Sequence, residues 1–428
     1  MADHTIRVGN ELETPEKPED NPEAFRKKIE PWLTAVFQSE HFNLLLGSGF
    51  TSAVAHAASA NATGMGLFEL GEMTAAINDH AKESAKKAGR GEANCEDQMR
   101  SALALIAGLR IQKDVRADAL KTALDTALKS FLRSLLDTEA AIESKMVSED
   151  EKGLVAKKQL TSFLLSFASR AATRERLHIF TTNYDRLIEY GCDILGLRTI
   201  DRFVGTLSPV FRSSRIEVDM HYSPPGIRGE PRYLEGVVKL TKLHGSLDWQ
   251  FHNGRLSREP LPFGPATDFP AYKKEVSDTV MIYPNPAKDV ETLEYPYAEL
   301  FRDFSAAVCR PNSALVTYGY GYGDDHINRT IADMLTIPSS HLVIIAFSDT
   351  GGRVTRFCDR IGKPAQITLL IGPHFGALPN LVDYYLPKPA IDTITFRAAE
   401  LRERRGERYE PKATPPDAKP AVVEEKDL

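Results

Sequence analysis

Several short clusters in the sequence carry side chains suited to chemistry on a polar ligand. Gly47-Ser48-Gly49 runs into Phe50-Thr51. Glycines let a backbone approach a pyrophosphate, and a helix N-terminus offers it free N–H groups. The same residues also make a tight strand-to-helix turn, since the third glycine of a dinucleotide fingerprint and the lysine of a triphosphate loop are missing. Thr182-Asn183-Tyr184-Asp185 sets an amide and a carboxylate on either side of a tyrosine. The amide can fix a ribose hydroxyl or a water, and the carboxylate can accept from a carboxamide or a hydroxyl. Either residue can instead cap a helix running from Arg186 to Cys192. His244 sits in Leu243-His244-Gly245-Ser246. An imidazole titrating near pH 6.5 can take a proton from a ribose hydroxyl, although a lone histidine is also a common structural hydrogen-bonding group. Gly319-Tyr320-Gly321-Tyr322-Gly323-Asp324-Asp325-His326 alternates glycine with tyrosine. It reads either as backbone lying against a nucleotide, with Asp324 reaching a ribose, or as a glycine-rich turn with an aspartate cap.

Each cluster follows a short apolar run: Asn43–Leu46, Leu177–Phe180, Leu240–Leu243 and Ala314–Thr317. Two more runs, Leu342–Phe347 and Ile367–Ile371, end in the same way. Runs of this length suit strands buried on both faces of a parallel sheet. Ligands of open α/β sheets bind beyond the carboxyl ends of the strands, so every polar cluster falls on one edge. The expected fold class is therefore α/β, a Rossmann-like parallel sheet with flanking helices. Between Met65 and Arg170 the grammar changes. Leu120, Leu124, Leu128, Leu132 and Leu135 step by four and three, as do Leu160, Phe163, Leu164 and Phe167. This places a large helical insertion at 65–170, broken near Gly89–Gly91, with core packing enough to explain its leucines. The sheet domain then takes 23–64 and 171–396. Residues 1–22 read as a flexible arm and 397–428 as a charged, Pro-rich, disordered tail.

The 428 residues carry a formal charge of −6. A chain that grips phosphate backbones usually shows a basic excess, so no strong direct nucleic-acid signal is present. No apolar run approaches the roughly 18 residues of a membrane span. The N-terminus lacks the basic start and apolar core of a secretory signal. Four cysteines stand far apart, at 95, 192, 309 and 358. They form no CxxC pair, which excludes a zinc ribbon and fits a reducing, cytoplasmic setting.

Taken together and in this order, the clusters resemble one family: the sirtuin-like NAD-consuming domains of bacterial antiphage defence systems. Gly-Ser-Gly-Phe-Thr is similar to the family's pyrophosphate loop. Thr-Thr-Asn-Tyr-Asp is similar to its Asn-x-Asp nicotinamide-ribose motif, and Leu-His-Gly-Ser to its catalytic histidine motif. The Gly-Tyr-Gly-Tyr-Gly-Asp stretch resembles the late glycine-rich motif of the bacterial branch. The resemblance implies NAD as substrate and no metal. It implies catalytic roles for Asn183, Asp185 and His244. NAD contacts would come from Gly47, Ser48, Gly49, Thr51, Thr182, Gly319, Tyr320, Gly321, Asp324 and His326. Protein-deacylating sirtuins carry a four-cysteine zinc module that this chain cannot form, and Thr182 stands where they carry glutamine. The expected activity is thus NAD glycohydrolysis, in an abortive-infection effector. A non-catalytic NAD- or ADP-ribose-binding subunit is the alternative, and a deacylase ranks lower. By the same analogy the protein would be a homo-oligomer gated by a HerA-type hexameric ATPase, with a short Argonaute as the next candidate.

Overall fold

The structure is a computed structural model. It describes residues 4–62, 64, 66–87, 92–148, 150–214, 218–223, 232–252, 255–265, 279–281 and 295–388. The expected break at Gly89–Gly91 and the tail from 397 lie outside these residues.

The apolar runs form the centre of a nine-stranded sheet. Its strands are β1 (Thr5–Val8), β2 (Glu11–Glu13), β3 (His41–Leu46), β4 (His178–Thr181), β5 (Arg198–Ile200), β6 (Val237–Lys242), β7 (Ser313–Tyr318), β8 (His341–Ala346) and β9 (Ile367–Ile371). The spatial order is β2-β1-β9-β8-β7-β3-β4-β6-β5. From β9 to β5 all neighbours run parallel. β3 and β7 are buried at every position, as strands covered on both faces must be. Their side chains alternate between two cores. Leu44 and Leu46 of β3 join one core and Leu45 the other.

The first core is closed by α1 (Pro22–Phe37), α2 (Ser48–Ala57), α6 (Glu151–Ala168) and α7 (Leu187–Leu195). The second is closed by α8 (Tyr297–Val308), α9 (Asp325–Met334) and α10 (Arg353–Ile361). This is the α/β Rossmann-like class read from the sequence. The chain lays β4, β6 and β5 on one side of β3, then returns to lay β7, β8 and β9 on the other. The order reverses between β3 and β7, and in such sheets ligands bind at that switch point. A smaller antiparallel sheet joins Phe203–Val204 and Val210–Phe211, which precede β6, to Gly245–His252 and Arg255–Arg258, which follow it. No described helix is long and apolar enough to cross a membrane.

Two boundaries differ from those read in the sequence. Residues 5–13, assigned there to a flexible arm, form β1 and β2, and β1 pairs antiparallel with β9. Ile6 is buried in the first core. Ile6 and Val8 alternate with the polar Thr5 and Arg7, a pattern too short within a polar stretch to announce that a partner strand awaits it. At the other boundary, α6 packs Leu160, Phe163 and Phe167 into the sheet core. It serves as the crossover helix into β4. The helices that stand apart are α3 (Thr74–Lys87), α4 (Cys95–Ile111) and most of α5 (Arg116–Val147). Their core contains Met99, Ile106, Leu120, Leu124, Leu128 and Phe131, and it extends onto Tyr184 and Leu247 of the sheet domain.

Two strand-initiating histidines tie stability to pH. His178 bonds Thr241 Oγ1 at 2.9 Å, and His341 bonds Thr368 Oγ1 at 2.8 Å. Burial pushes the His178 imidazole down to about 3, with Lys239 adding to the effect. Burial pushes His341 down to about 4. Unfolded histidine titrates near 6.5, so the native state refuses protons that the unfolded state accepts. The stability these groups confer is complete above about pH 6.5 and is lost as pH falls toward 4 and 3. Urea unfolding at about pH 7.5 and about pH 5 should show a loss that is roughly 2 kcal/mol smaller in His178→Gln than in wild type. Equal losses in both proteins would show that His178 does not carry the effect.

Candidate active site

The loops after β3, β4, β6 and β7 meet around one cavity of about 240 Å³. Gly47, Ser48 and Thr51 line it from the first turn of α2, together with Ser52. Thr182, Asn183 and Asp185 line it from the β4 exit, His244 from the β6 exit, and Tyr320, Gly321 and Asp324 from the β7 exit. Residues far apart in sequence converge because parallel strands deliver all their carboxyl ends to the same edge.

Glycine lets two of these loops touch. Gly319 has φ +64°, and a Cβ there would lie 2.4 Å from the Phe50 nitrogen. A Cβ on Gly49 would lie 2.7 Å from Gly319 Cα. The Gly49 N–H donates to the Gly319 carbonyl at 3.0 Å. Gly49 and Gly319 therefore join the two turns back to back and do not line the cavity. His326 does not line it either. Its ring packs edge-on against Phe301, at 4.5 Å between centroids.

Asn183 stands at the centre of a polar chain. Its Nδ2 donates to the Gly47 carbonyl at 3.0 Å and to Thr51 Oγ1 at 2.9 Å. A carbonyl only accepts, so the amide nitrogen must face Gly47. Thr51 Oγ1 in turn donates to Asp185 Oδ2 at 2.8 Å. Asp185 Oδ1 accepts from the Leu187 N–H at 3.1 Å, which satisfies an orphan donor at the start of α7. Asp185 thus holds both the helix start and the threonine that holds Asn183. Asn183 is 6% exposed, and its Oδ1 has no hydrogen-bond partner among the described residues. A buried acceptor left in this state costs free energy unless a ligand or water meets it.

His244 is also 6% exposed, and its Nε2 lies 3.1 Å from Asp324 Oδ2. A carboxylate only accepts, so Nε2 carries a proton, and in the neutral ring the lone pair then lies on Nδ1. The other oxygen of Asp324 accepts from the His326 and Ile327 N–H groups, at 3.0 and 3.4 Å, as the N-cap of α9. The sequence reads Asp324 as a ribose contact or a helix cap; the structure makes it the cap and adds a partnership with His244, because the β6 and β7 exits close against each other across the cavity. Tyr320 faces inward but is committed to structure. Burial holds its hydroxyl well above the usual tyrosine range, and it donates to Asn328 Oδ1 at 3.0 Å.

Some lining residues escaped the sequence reading. Arg353 opens α10, two glycines beyond the β8 exit, and brings a cation to the wall. The signal was Gly351-Gly352 ahead of a basic residue at a helix start. Asn94 and Glu96 come from the start of α4, and Phe131, Leu135 and Thr138 from α5. Asn94 and Asp97 form a capping box, which marks a helix start without saying what it faces. Leu135 reads in the sequence as plain core packing, and helical period cannot tell a core face from a site wall.

Residues 177–357 match the family model of the SIR2-like domain. The matched stretch starts just before β4 and ends within α10. It holds Asn183, Asp185, His244 and Asp324, while the Gly47–Thr51 turn and the insertion helices lie before it. No curated protein matches the chain. A SIR2-like domain is compatible with an NAD-utilising enzyme, and it makes NAD the ligand to consider in this cavity. Among the described residues, no three His, Cys, Asp or Glu side chains converge as metal ligands would.

Proposed function

We propose that the protein is an NAD glycohydrolase that converts NAD and water to nicotinamide, ADP-ribose and a proton. The observation that carries this reading is the meeting, in one cavity, of the Asn183 Oδ1 acceptor and the imidazole of His244 with its partner Asp324. In NAD the leaving nicotinamide is already cationic, so scission of the N-glycosidic bond needs no general acid. Positive charge develops on the ribose, and a positioned acceptor and a base then speed capture by water. Asn183 Oδ1 orients the ribose hydroxyl or the attacking water. His244 Nδ1 takes the proton as the new C–O bond forms. The start of α2 and Arg353 offer N–H groups and a cation to the pyrophosphate. Asp185 acts through Thr51 to keep Asn183 in place. A subunit that only binds NAD has little use for a base with a set tautomer, which favours turnover over a purely regulatory role.

In the cell this activity would serve an antiphage effector. A cavity of about 240 Å³ lies below the roughly 300–1,000 Å³ of ordinary ligand pockets. By analogy with sirtuin-like defence proteins the activity would be gated by an assembly partner, with a HerA-type ATPase the first candidate. Incubation with NAD, followed by chromatography, should show nicotinamide and ADP-ribose in equal amounts, alone or with the partner added. NAD left intact under both conditions would overturn the reading.

A further inference from the structure

The helical insertion grips the turn that carries Asn183 and Asp185. Arg186 ends this turn, and its side chain bonds Glu139 of the insertion and the carbonyls of Leu261 and Pro262 beside it. Its backbone N–H donates to Glu139 Oε1 at 2.7 Å, and its Nε donates to the same oxygen at 3.2 Å. Nη2 donates to Glu139 Oε2 and to the Pro262 carbonyl, the latter at 2.9 Å, and Nη1 donates to the Leu261 carbonyl. The Arg186 and Glu139 side chains are 6% and 1% exposed. Arginine has no side-chain acceptor for the N–H groups that open α7. Glu139 supplies one from another helix, beside the acceptor that Asp185 supplies to Leu187. On the inner side, Lys242 Nζ donates to the Asp185 carbonyl at 2.5 Å.

Glu139 belongs to α5, the helix that also sends Phe131, Leu135 and Thr138 to the cavity wall. Phe131 meets the Tyr184 ring edge-on at 6.1 Å. One rigid helix therefore walls the cavity and clamps the turn beneath it. We propose that Glu139 is a positioning residue: through Arg186 it sets the 183–187 turn, so that a displacement of α5 is felt at Asn183. Anything that docks on or shifts the insertion then acts on the Asn183 acceptor as well as on access. The effect on turnover rests on the NAD glycohydrolase reading, while the effect on the turn does not.

Amide hydrogen exchange and NAD turnover on the full chain, with wild type and Glu139→Gln, test this. Exchange at residues 183–187 should be at least about tenfold faster in the variant, with β8 unchanged. The kcat should fall about 10- to 100-fold while KM stays within about threefold, because misplacement of a positioning group costs chemistry more than binding. Unchanged exchange at 183–185, or faster exchange with unchanged kcat, would overturn the proposal. If the wild type cleaves no NAD, the catalytic reading fails and the exchange rates alone decide the role of Glu139. If Glu139→Gln does not fold, Glu139→Gln/Arg186→Gln removes both buried charges and is measured in the same way.

Discussion

Replacing His244 with alanine is expected to slow nicotinamide release from NAD by about 10²- to 10⁴-fold, the range a positioned base supplies. Binding should change by no more than about threefold, since the imidazole acts on a proton that moves only in the reaction. Asp324→Asn provides the sharper companion test. Asparagine caps helices as well as aspartate does, so α9 should keep its stability. Its Oδ1 must then take the His326 and Ile327 N–H groups, which turns Nδ2 toward His244. A donor would face Nε2, and the ring would move its proton to Nδ1, the atom that must be free to accept. Turnover should fall by about 10²-fold or more with the fold intact. Full activity in Asp324→Asn would remove the tautomer argument. Full activity in His244→Ala would remove the base.

Gly319→Ala should be the most damaging single-methyl change near the site. The added carbon would meet backbone, not side chain, at 2.4 Å from the Phe50 nitrogen and 2.6 Å from the Gly49 carbonyl carbon. The residue also sits at φ +64°, where an L side chain costs about 1–2 kcal/mol. Overpacking adds about 1–3 kcal/mol, so a loss of roughly 2–5 kcal/mol is expected in urea unfolding. Activity should suffer with it, because the displaced Gly47–Thr51 turn holds Asn183 through two hydrogen bonds. Gly321→Ala is the control. Its Cβ would meet only side-chain ends, Arg353 Nη2 at 3.4 Å and Thr350 Cγ2 at 4.0 Å, and its backbone needs no left-handed conformation. It should cost less than about 1 kcal/mol. Equal losses at the two positions would refute the back-to-back packing of the turns.

Much of this was legible in the chain itself. Leu44, Leu45 and Leu46 are apolar in succession because β3 feeds two cores, and that pattern marks a strand of a parallel sheet before any coordinates are seen. Strand exits in such a sheet share an edge, so Asn183, His244 and Asp324 could be assigned to one cleft from sequence order alone. What each residue does there was less accessible. Asp324 reads equally as a ribose ligand or a helix cap, and the choice depends on the β6 exit lying against it. Gly49 and Gly319 read as nucleotide-facing glycines, yet their lack of a side chain serves each other. Leu135 shows the same helical period whether it fills a core or walls a cavity.

The sequence by itself therefore determined the α/β class, the polar edge and most of the residues on it. These follow from local apolar patterns and from the geometry of parallel strands. The tertiary structure alone decided who partners whom: Asp324 with His244, Glu139 with Arg186, β1 with β9, and α5 with the cavity wall. Each of these joins residues distant in the chain through a few polar contacts, a few packed side chains or a single paired strand. Contacts of that kind leave no periodic trace in sequence, because their energy comes from what the folded chain brings near.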